Sequence, residues 1–405
     1  MRLFDSSQNP RPVEHIEVPE MNPRRRLTVV LVLLLVGVIA IGLGLRSALT
    51  RQSGWTDIEA LSGAPGCASE FHLQYDLPKK DSRAVSREIT ALYTTACTRL
   101  AQVYSATETY EDVGNVCAFA SRPNETVTVE PELYAALRQV QDADCRVPYL
   151  APLYETYTGV FFCADDSETA LFDPLQNDDV AAAFAELAAF ANDPEQIDLE
   201  LLEDSRVRLN VSEDYLRYAE ENGVSCLFDF AWLKNAFIAD DLADVLTEHG
   251  FTEAVLQSND GFGRNLSSGG DRFSMRILDG APRSAAELSY DRPLAFVSLH
   301  SRSSYPADND WYYELENGEV RAIWLDPADG MPKTAIDDLL LWSDSLGCGA
   351  LALAAAPVYV ADAFTPEALD VPELFCAYCE GRTIVCTDPR VTVSDPLEGY
   401  SVRQD

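Results

Sequence analysis

The sequence predicts a mixed α+β domain, with a largely antiparallel sheet and packed helices, preceded by one transmembrane helix. Three observations predict it. Helix-period and strand-like segments alternate irregularly, without the regular βα repeat of a parallel sheet. Residues 311–325, WYYELENGEVRAIWL, place Asn317-Gly318 between two apolar stretches, as an antiparallel hairpin requires. Residues 27–45, LTVVLVLLLVGVIAIGLGL, run for 19 residues without a charge.

Residues 1–26 are polar and form a tail. A helix over 27–45, at about 1.5 Å per residue, just crosses a hydrocarbon core. A cleaved signal peptide is the competing reading, but its apolar region is usually shorter and ends in small residues. Here Arg46 and Arg51 follow directly, which favours an uncleaved anchor, and no cysteine marks a lipoprotein site. Arg2, Arg11, Arg24, Arg25 and Arg26 precede the run, so the tail is expected in the cytoplasm and the large domain outside it. Residues 46–68 read as a linker and 69–405 as the extracytoplasmic domain.

Within that domain, Val85, Ile89, Leu92, Ala96, Leu100 and Val103 recur at helical spacing over 81–104, with Asp81 or Ser82 as the cap. Helices are also expected over 130–143, opened by Pro131, and over 178–193, which is Ala-rich. Residues 212–223 form a short helix ending at Gly223, and 234–250 a longer one stopped by Gly250. Residues 226–233 read as a strand or a turn. Strands are expected at 252–257, 293–300 and 337–343, a helix at 343–356 and a hairpin across the C-terminal cysteines. The acidic segment 164–208 reads as an insertion rather than core.

The chain carries a formal charge of -36. Residues 1–51 contain seven Arg and four acids, or +3, so the remainder carries -36 - 3 = -39. Such a domain repels nucleic acid and anionic headgroups. A phosphorylated ligand would need a bridging cation such as Mg²⁺. All ten cysteines lie in the outer domain, and their pairing depends on the redox state outside the cell. Cys376-x-x-Cys379 with Cys386 gives three sulfurs and no neighbouring His, short of a zinc set. Asn124, Asn210 and Asn265 open glycosylation sequons.

Three segments, in order, resemble the FAD:protein FMN transferases, the ApbE-type flavin transferases. Residues 228–261, FDFAWLKNAFIADDLADVLTEHGFTEAVLQSNDG, resemble that family's Asp-Leu-Gly-Gly-Ile-Ala-Lys-Gly-Tyr-x-x-Asp helix and following strand. Residues 322–332, AIWLDPADGMP, resemble His-Ile-x-Asp-Pro-x-Thr-Gly-x-Pro. Residues 343–353, SDSLGCGALAL, resemble Ala-Asp-Ala-Leu-x-Thr-Ala. The likeness spans roughly 70–400.

The resemblance implies a T-fold-like domain outside the membrane that moves FMN from FAD to a Thr or Ser hydroxyl of a target protein, with Mg²⁺ neutralising the pyrophosphate. It assigns flavin-nucleotide contacts to Asp229, Asn235, Asp240, Asn259, Asp260, Gly261, Asp326 and Gly330. It assigns metal contacts to Asp344, Cys348 and the Lys234 carbonyl, and a catalytic place to Asp326.

Several family residues are replaced. The His three positions before Asp326 is Ile323, the Thr ligand is Cys348, and the Gly-Gly pair is Ala231-Trp232. A thiol is a soft, poor partner for Mg²⁺. Of the four His, His300 ends a neighbouring strand and could lie near in space. The replacements point to a divergent member with weak or lost transfer; an active transferase and a flavin- or partner-binding envelope module are the alternatives. Its expected partners are an envelope protein or a flavoprotein target.

Overall fold

The segment Phe71–Leu77, FHLQYDL, alternates apolar and polar residues, and every apolar side chain in it is buried. In the computed structural model this strand anchors one end of the main sheet. The structure describes residues 32–34, 53–280, 284–301, 311–394 and 396–404. The apolar run 27–45 lies outside these, save for 32–34; among the described residues no helix is long and apolar enough to cross a membrane.

Nine strands build the main sheet: β1 (Gly54–Ile58), β2 (Phe71–Leu77), β3 (Ala254–Ser258), β4 (Phe262–Asn265), β5 (Leu294–His300), β6 (Asp338–Ser343), β7 (Phe375–Glu380), β8 (Thr383–Cys386) and β9 (Ser401–Gln404). They lie side by side in chain order. Every neighbouring pair is antiparallel except β8 and β9. Tight connections join β3 to β4 and β7 to β8; the longest connection, 78–253, leaves after β2 and returns at β3.

That excursion supplies most of the helices. The longest are α1 (Ser82–Val103), α2 (Pro131–Asp142), α3 (Asp178–Asn192) and α4 (Lys234–Glu248); α5 (Cys348–Tyr359) follows β6. They cover one sheet face, packing with Ala295, Val297 and Leu299 of β5 and Leu339 and Leu341 of β6. The alternate residues, Leu294, Phe296, Leu340 and Trp342, point the other way into a second core. A three-stranded sheet of Phe273–Ile277, Ala286–Tyr290 and Thr392–Ser394 contributes the far side of that core.

Most expected elements are present, and the departures have physical causes. The hairpin at 311–325 is there, but short, as Tyr312–Glu314 against Val320–Ala322. Residues 226–233 are a turn closed by a 3₁₀ turn at Ala231–Leu233, not a strand. The linker expected over 46–68 contributes β1, so the folded unit begins near Ser53 rather than at 69. The helix expected at 343–356 starts at Cys348, because Ser343 ends β6 and 344–347 form a turn.

The acidic segment 164–208 is core rather than insertion. Phe184, Leu187, Ala188 and Ala191 of α3 are buried. A second three-stranded sheet, Val127–Thr128, Ile197–Leu202 and Arg206–Val211, adds Leu199, Val207 and Leu209 to the same core. All ten cysteines are free thiols. Cys376 and Cys379 are three apart on β7, so their sulfurs leave opposite sheet faces and cannot share a metal.

One ion pair ties the acidic segment to the 312–322 hairpin. Arg321 Nε lies 2.6 Å from Asp173 Oδ2, with side chains 5% and 0% exposed. Removing one partner strands a buried charge, which costs about 3–5 kcal/mol. Asp173→Ala is therefore expected to lower the unfolding free energy by about 3 kcal/mol or more in chemical denaturation. A loss under about 1 kcal/mol would mean that the segment is peripheral.

Candidate functional site

Helix α4 begins without a side-chain cap, directly after the 3₁₀ turn. Ala231 there has φ 50°, the left-handed region that glycine prefers. Holding a residue with a side chain there costs about 1 kcal/mol. This turn directs Asp229 and Lys234 into a cavity of about 260 Å³, shared with Cys67, Glu70, Tyr104, Ser105 and Thr107.

Asn235, the next residue, is buried and links two acids. Its Nδ2 donates to Glu70 Oε2 and Asp260 Oδ2, both at 2.9 Å. Asn235 Oδ1 and Asp260 Oδ1 have no partner. Burial pushes the Asp260 carboxyl up to about 6, against the lowering effect of its hydrogen bonds to Ser258 and Asn235. Burial also raises Asp229, with Lys234 opposing it. Asn259 is a backbone tie, donating to Glu70 O at 2.8 Å and, through Nδ2, to Ser69 O at 3.0 Å. Gly261 has φ 100°, and a side chain there would run into the Ser298 carbonyl.

Asp240, two turns further along α4, has a different task. Its carboxylate accepts the backbone N–H groups of Cys348 at 2.8 Å and Gly349 at 2.9 Å, and it pairs with Arg264 of β4. It therefore caps α5 from another element, satisfying orphan donors and meeting the positive helix end. Gly347 has no room for a Cβ, which would strike this carboxylate. Beside it, Asp241 accepts from Tyr104 Oη at 2.8 Å, and burial drives its carboxyl up to about 7.

The expected metal set does not assemble. Asp344 sits in the turn before α5 and is held by Arg292 at 2.8 Å and Arg390 at 2.6 Å. Cys348 is fully buried, its Sγ donating to the carbonyls of Gly263 at 3.2 Å and Phe296 at 3.7 Å. The two side chains do not share a helix face, because the helix starts only at Cys348. Among the described residues, no three His, Cys, Asp or Glu converge to hold a metal.

The 322–332 turn is tightly made. Asp326 N donates to Met331 O at 2.9 Å, Gly330 N to Asp326 O at 2.7 Å, and Ala328 N to Asp326 Oδ1 at 2.9 Å. Gly330 has φ 77°, and a Cβ there would lie 2.7 Å from Leu153 and 3.0 Å from the Phe184 carbonyl of α3. Asn192 of α3 also donates to Pro327 O. The glycine's close approach is thus taken up by the chain's own helix. Lys333 binds Asp329 and Asp362 at 2.7 Å and Asp326 at 3.2 Å. Burial lowers its ammonium, but these three carboxylates outweigh that and raise it.

Ile323 is buried, with its N–H on Trp311 O at 3.1 Å. Next to it, Trp324 packs edge-on against Trp232 and Tyr359. His300 does come close, since Trp324 Nε1 donates to its carbonyl at 3.0 Å, but its ring engages Ser298 and Asp338.

The structure therefore brings Asp229 and Lys234 into one cavity, joins Asn235 to Asp260 and to the lining residue Glu70, and leaves Asp326, Gly330, Asp344 and Cys348 in separate bonded sites. Sequence reading missed Glu70, Tyr104 and Arg264. Each reaches its partner across a long stretch of chain, and no local pattern signals it.

The main sheet, antiparallel save for its last pair, carries helices on one face and a small three-stranded sheet on the other. The ApbE protein of Thermotoga maritima is similar with a TM-score of 0.53 and 14% identity, covering 85% of this chain and 97% of that one. The flavin transferase ApbE of Vibrio cholerae is similar with a TM-score of 0.53 and 11% identity, over 85% and 97% of the two chains. The chain has the ApbE flavin transferase fold, and the likeness read from three motifs holds at that level. No family model matches the sequence, and no curated protein matches it.

Asp260 gives the site a pH signature. Its folded carboxyl is raised above the unfolded value, so its contribution is fully present below about pH 4 and is lost as pH rises through about 6. Asp260→Asn removes this dependence. The variant is expected to be more stable than the parent at pH 8, by about 1–2 kcal/mol, with the gap closing toward pH 5. Denaturant titrations at both pH values check this; a gap that widens on acidification would contradict it.

Proposed function

We propose that this chain is a membrane-anchored, extracytoplasmic flavin transferase-like protein in which Mg²⁺-dependent FMN transfer is weak or lost, and that it serves as a binding module in the cell envelope. The observation that carries this reading is self-neutralisation. Asp240 is taken by Arg264 and the α5 N-terminus, and Asp344 by Arg292 and Arg390. Both of these acids already have an internal cation. A thiol at 348 adds a soft group where Mg²⁺ takes hard oxygens. The residues present do not fit Mg²⁺.

The cavity supports the same reading. Glu70, Asp229 and Lys234 are its charged lining residues, a formal charge of -1 from two acids and one cation. A pyrophosphate entering it would meet net repulsion without a metal between. Neutral or cationic groups fit better. The partner proposed is therefore another envelope protein, with a flavoprotein target as the specific case. Residues 27–45 would hold the module at the membrane.

The test mixes the full chain with FAD, Mg²⁺ and a Thr-containing target peptide. No AMP release above background is expected, no flavin absorption should travel with the protein, and Mg²⁺ should leave the melting temperature unchanged. AMP release that depends on Mg²⁺ would overturn the proposal in favour of an active FAD:protein FMN transferase. Bound flavin without AMP release would favour the flavin-binding form of the module.

A further inference from the structure

Ser298 and His300 lie two apart on β5, so their side chains leave the same sheet face. Asp338 on β6 sits directly opposite His300 in the antiparallel register. The three side chains form one hydrogen-bonded line. Ser298 Oγ is 3.0 Å from His300 Nε2, and His300 Nδ1 is 2.6 Å from Asp338 Oδ1. The second carboxylate oxygen, Asp338 Oδ2, accepts the Gly280 N–H at 2.5 Å.

The frame around this line is fixed on several sides. Ser298 N donates to Gly261 O at 2.8 Å, and Gly261 lacks the Cβ that would strike the Ser298 carbonyl. Trp324 Nε1 holds the His300 carbonyl. Asp338 is buried, its side chain 9% exposed, and the His300 side chain is 11% exposed, with Ser298 partly buried beside it. By alternation along β5 and β6, the line shares a face with Phe296 and Trp342, opposite the helices and the Lys234 cavity. It is independent of the flavin reading.

A buried serine in a sheet ordinarily satisfies its hydroxyl on a carbonyl, as Ser258 does on Phe262 O at 3.2 Å. Ser298 instead faces an imidazole whose other nitrogen faces a pinned carboxylate. A nucleophile bonded to a base, with the base oriented by a third group, is the geometry that activates a hydroxyl. We propose that Ser298, His300 and Asp338 form a hydrolytic triad acting on an activated carboxylic ester, with Ser298 as nucleophile and Asp338 as the positioning residue for His300.

In the reaction, Ser298 Oγ bonds to the acyl carbon and its proton passes to His300 Nε2. The tetrahedral adduct collapses, the C–O bond to the leaving group breaks, and the alcohol departs with the proton from Nε2. Water then attacks the acyl-serine, giving a proton to Nε2, and the carboxylic acid leaves as Ser298 recovers that proton. The sum is ester plus water giving acid plus alcohol, with no other reactant.

The test treats the full-length chain in detergent with an alkyl fluorophosphonate and maps the adduct by mass spectrometry. One adduct is expected, on Ser298. Ser298→Ala should abolish it, and His300→Gln should slow it about a hundredfold or more. Asp338→Asn, whose amide can donate to the imidazole and favour the wrong tautomer, should slow labelling, and Asp338→Glu should restore it in part. No Ser298 adduct on the unaltered chain, or labelling that His300→Gln leaves undiminished, would overturn the proposal. Labelling of the unaltered chain needs no variant, so it decides even where a substitution prevents folding.

Discussion

The Asp240 carboxylate is the contact on which the centre of this structure depends. It lies on α4, takes two backbone N–H groups of α5, and pairs with Arg264 of β4. Three elements far apart in sequence are thereby fixed at one point. The arrangement forces its surroundings: Gly347 must lack a side chain, and Cys348 is set with its thiol on the carbonyls of β4 and β5. A half-buried carboxylate with three charge-assisted donors is firmly held, and removing it would leave both a guanidinium and a helix end unmatched.

The same logic recurs across a very acidic chain. Lys333 gathers three carboxylates, and Asp388 gathers Arg292, Arg390 and the Trp342 indole. With 30 basic and 66 acidic residues, cations are scarce, and those near the centre are spent on internal acids. A phosphate ligand competes for just these groups. Each of these cations already holds an internal acid, which an entering phosphate would have to displace.

How far the sequence was legible followed from how local each cause was. The helix at Glu213–Asn222 was visible because Ser212 caps Tyr215 N and Gly223 takes φ 69°, both within the segment. The start of α5 was misplaced because Ser343-Asp344 looks like a local cap, whereas the true cap comes from Asp240 in another helix. β1 went unread since it sits in a Gly- and Ser-containing stretch, and β2 was passed over although its alternation is clean. At the site, Asp229, Lys234, Asn235 and Asp260 were legible through spacing, while Glu70 and Arg264 depend on how helix α4 packs against the sheet. Ser298 and His300 share a face by arithmetic alone, but only the pairing of β5 with β6 brings in Asp338.

The turn at 326–331 shows how packing alone can require particular residues. Its conformation needs Gly330 at φ 77° and an Asp at 326 to take the Ala328 N–H. The neighbour is α3, whose Phe184 carbonyl and Ala188 fill the space next to the glycine, with Asn192 bonded to Pro327 O. A side chain at 330 would push α3 away, so the close approach of helix and turn is itself enough to require the glycine. Ile323, just before the turn, joins the apolar core beside Trp324 and ties the same turn to the sheet side of the molecule.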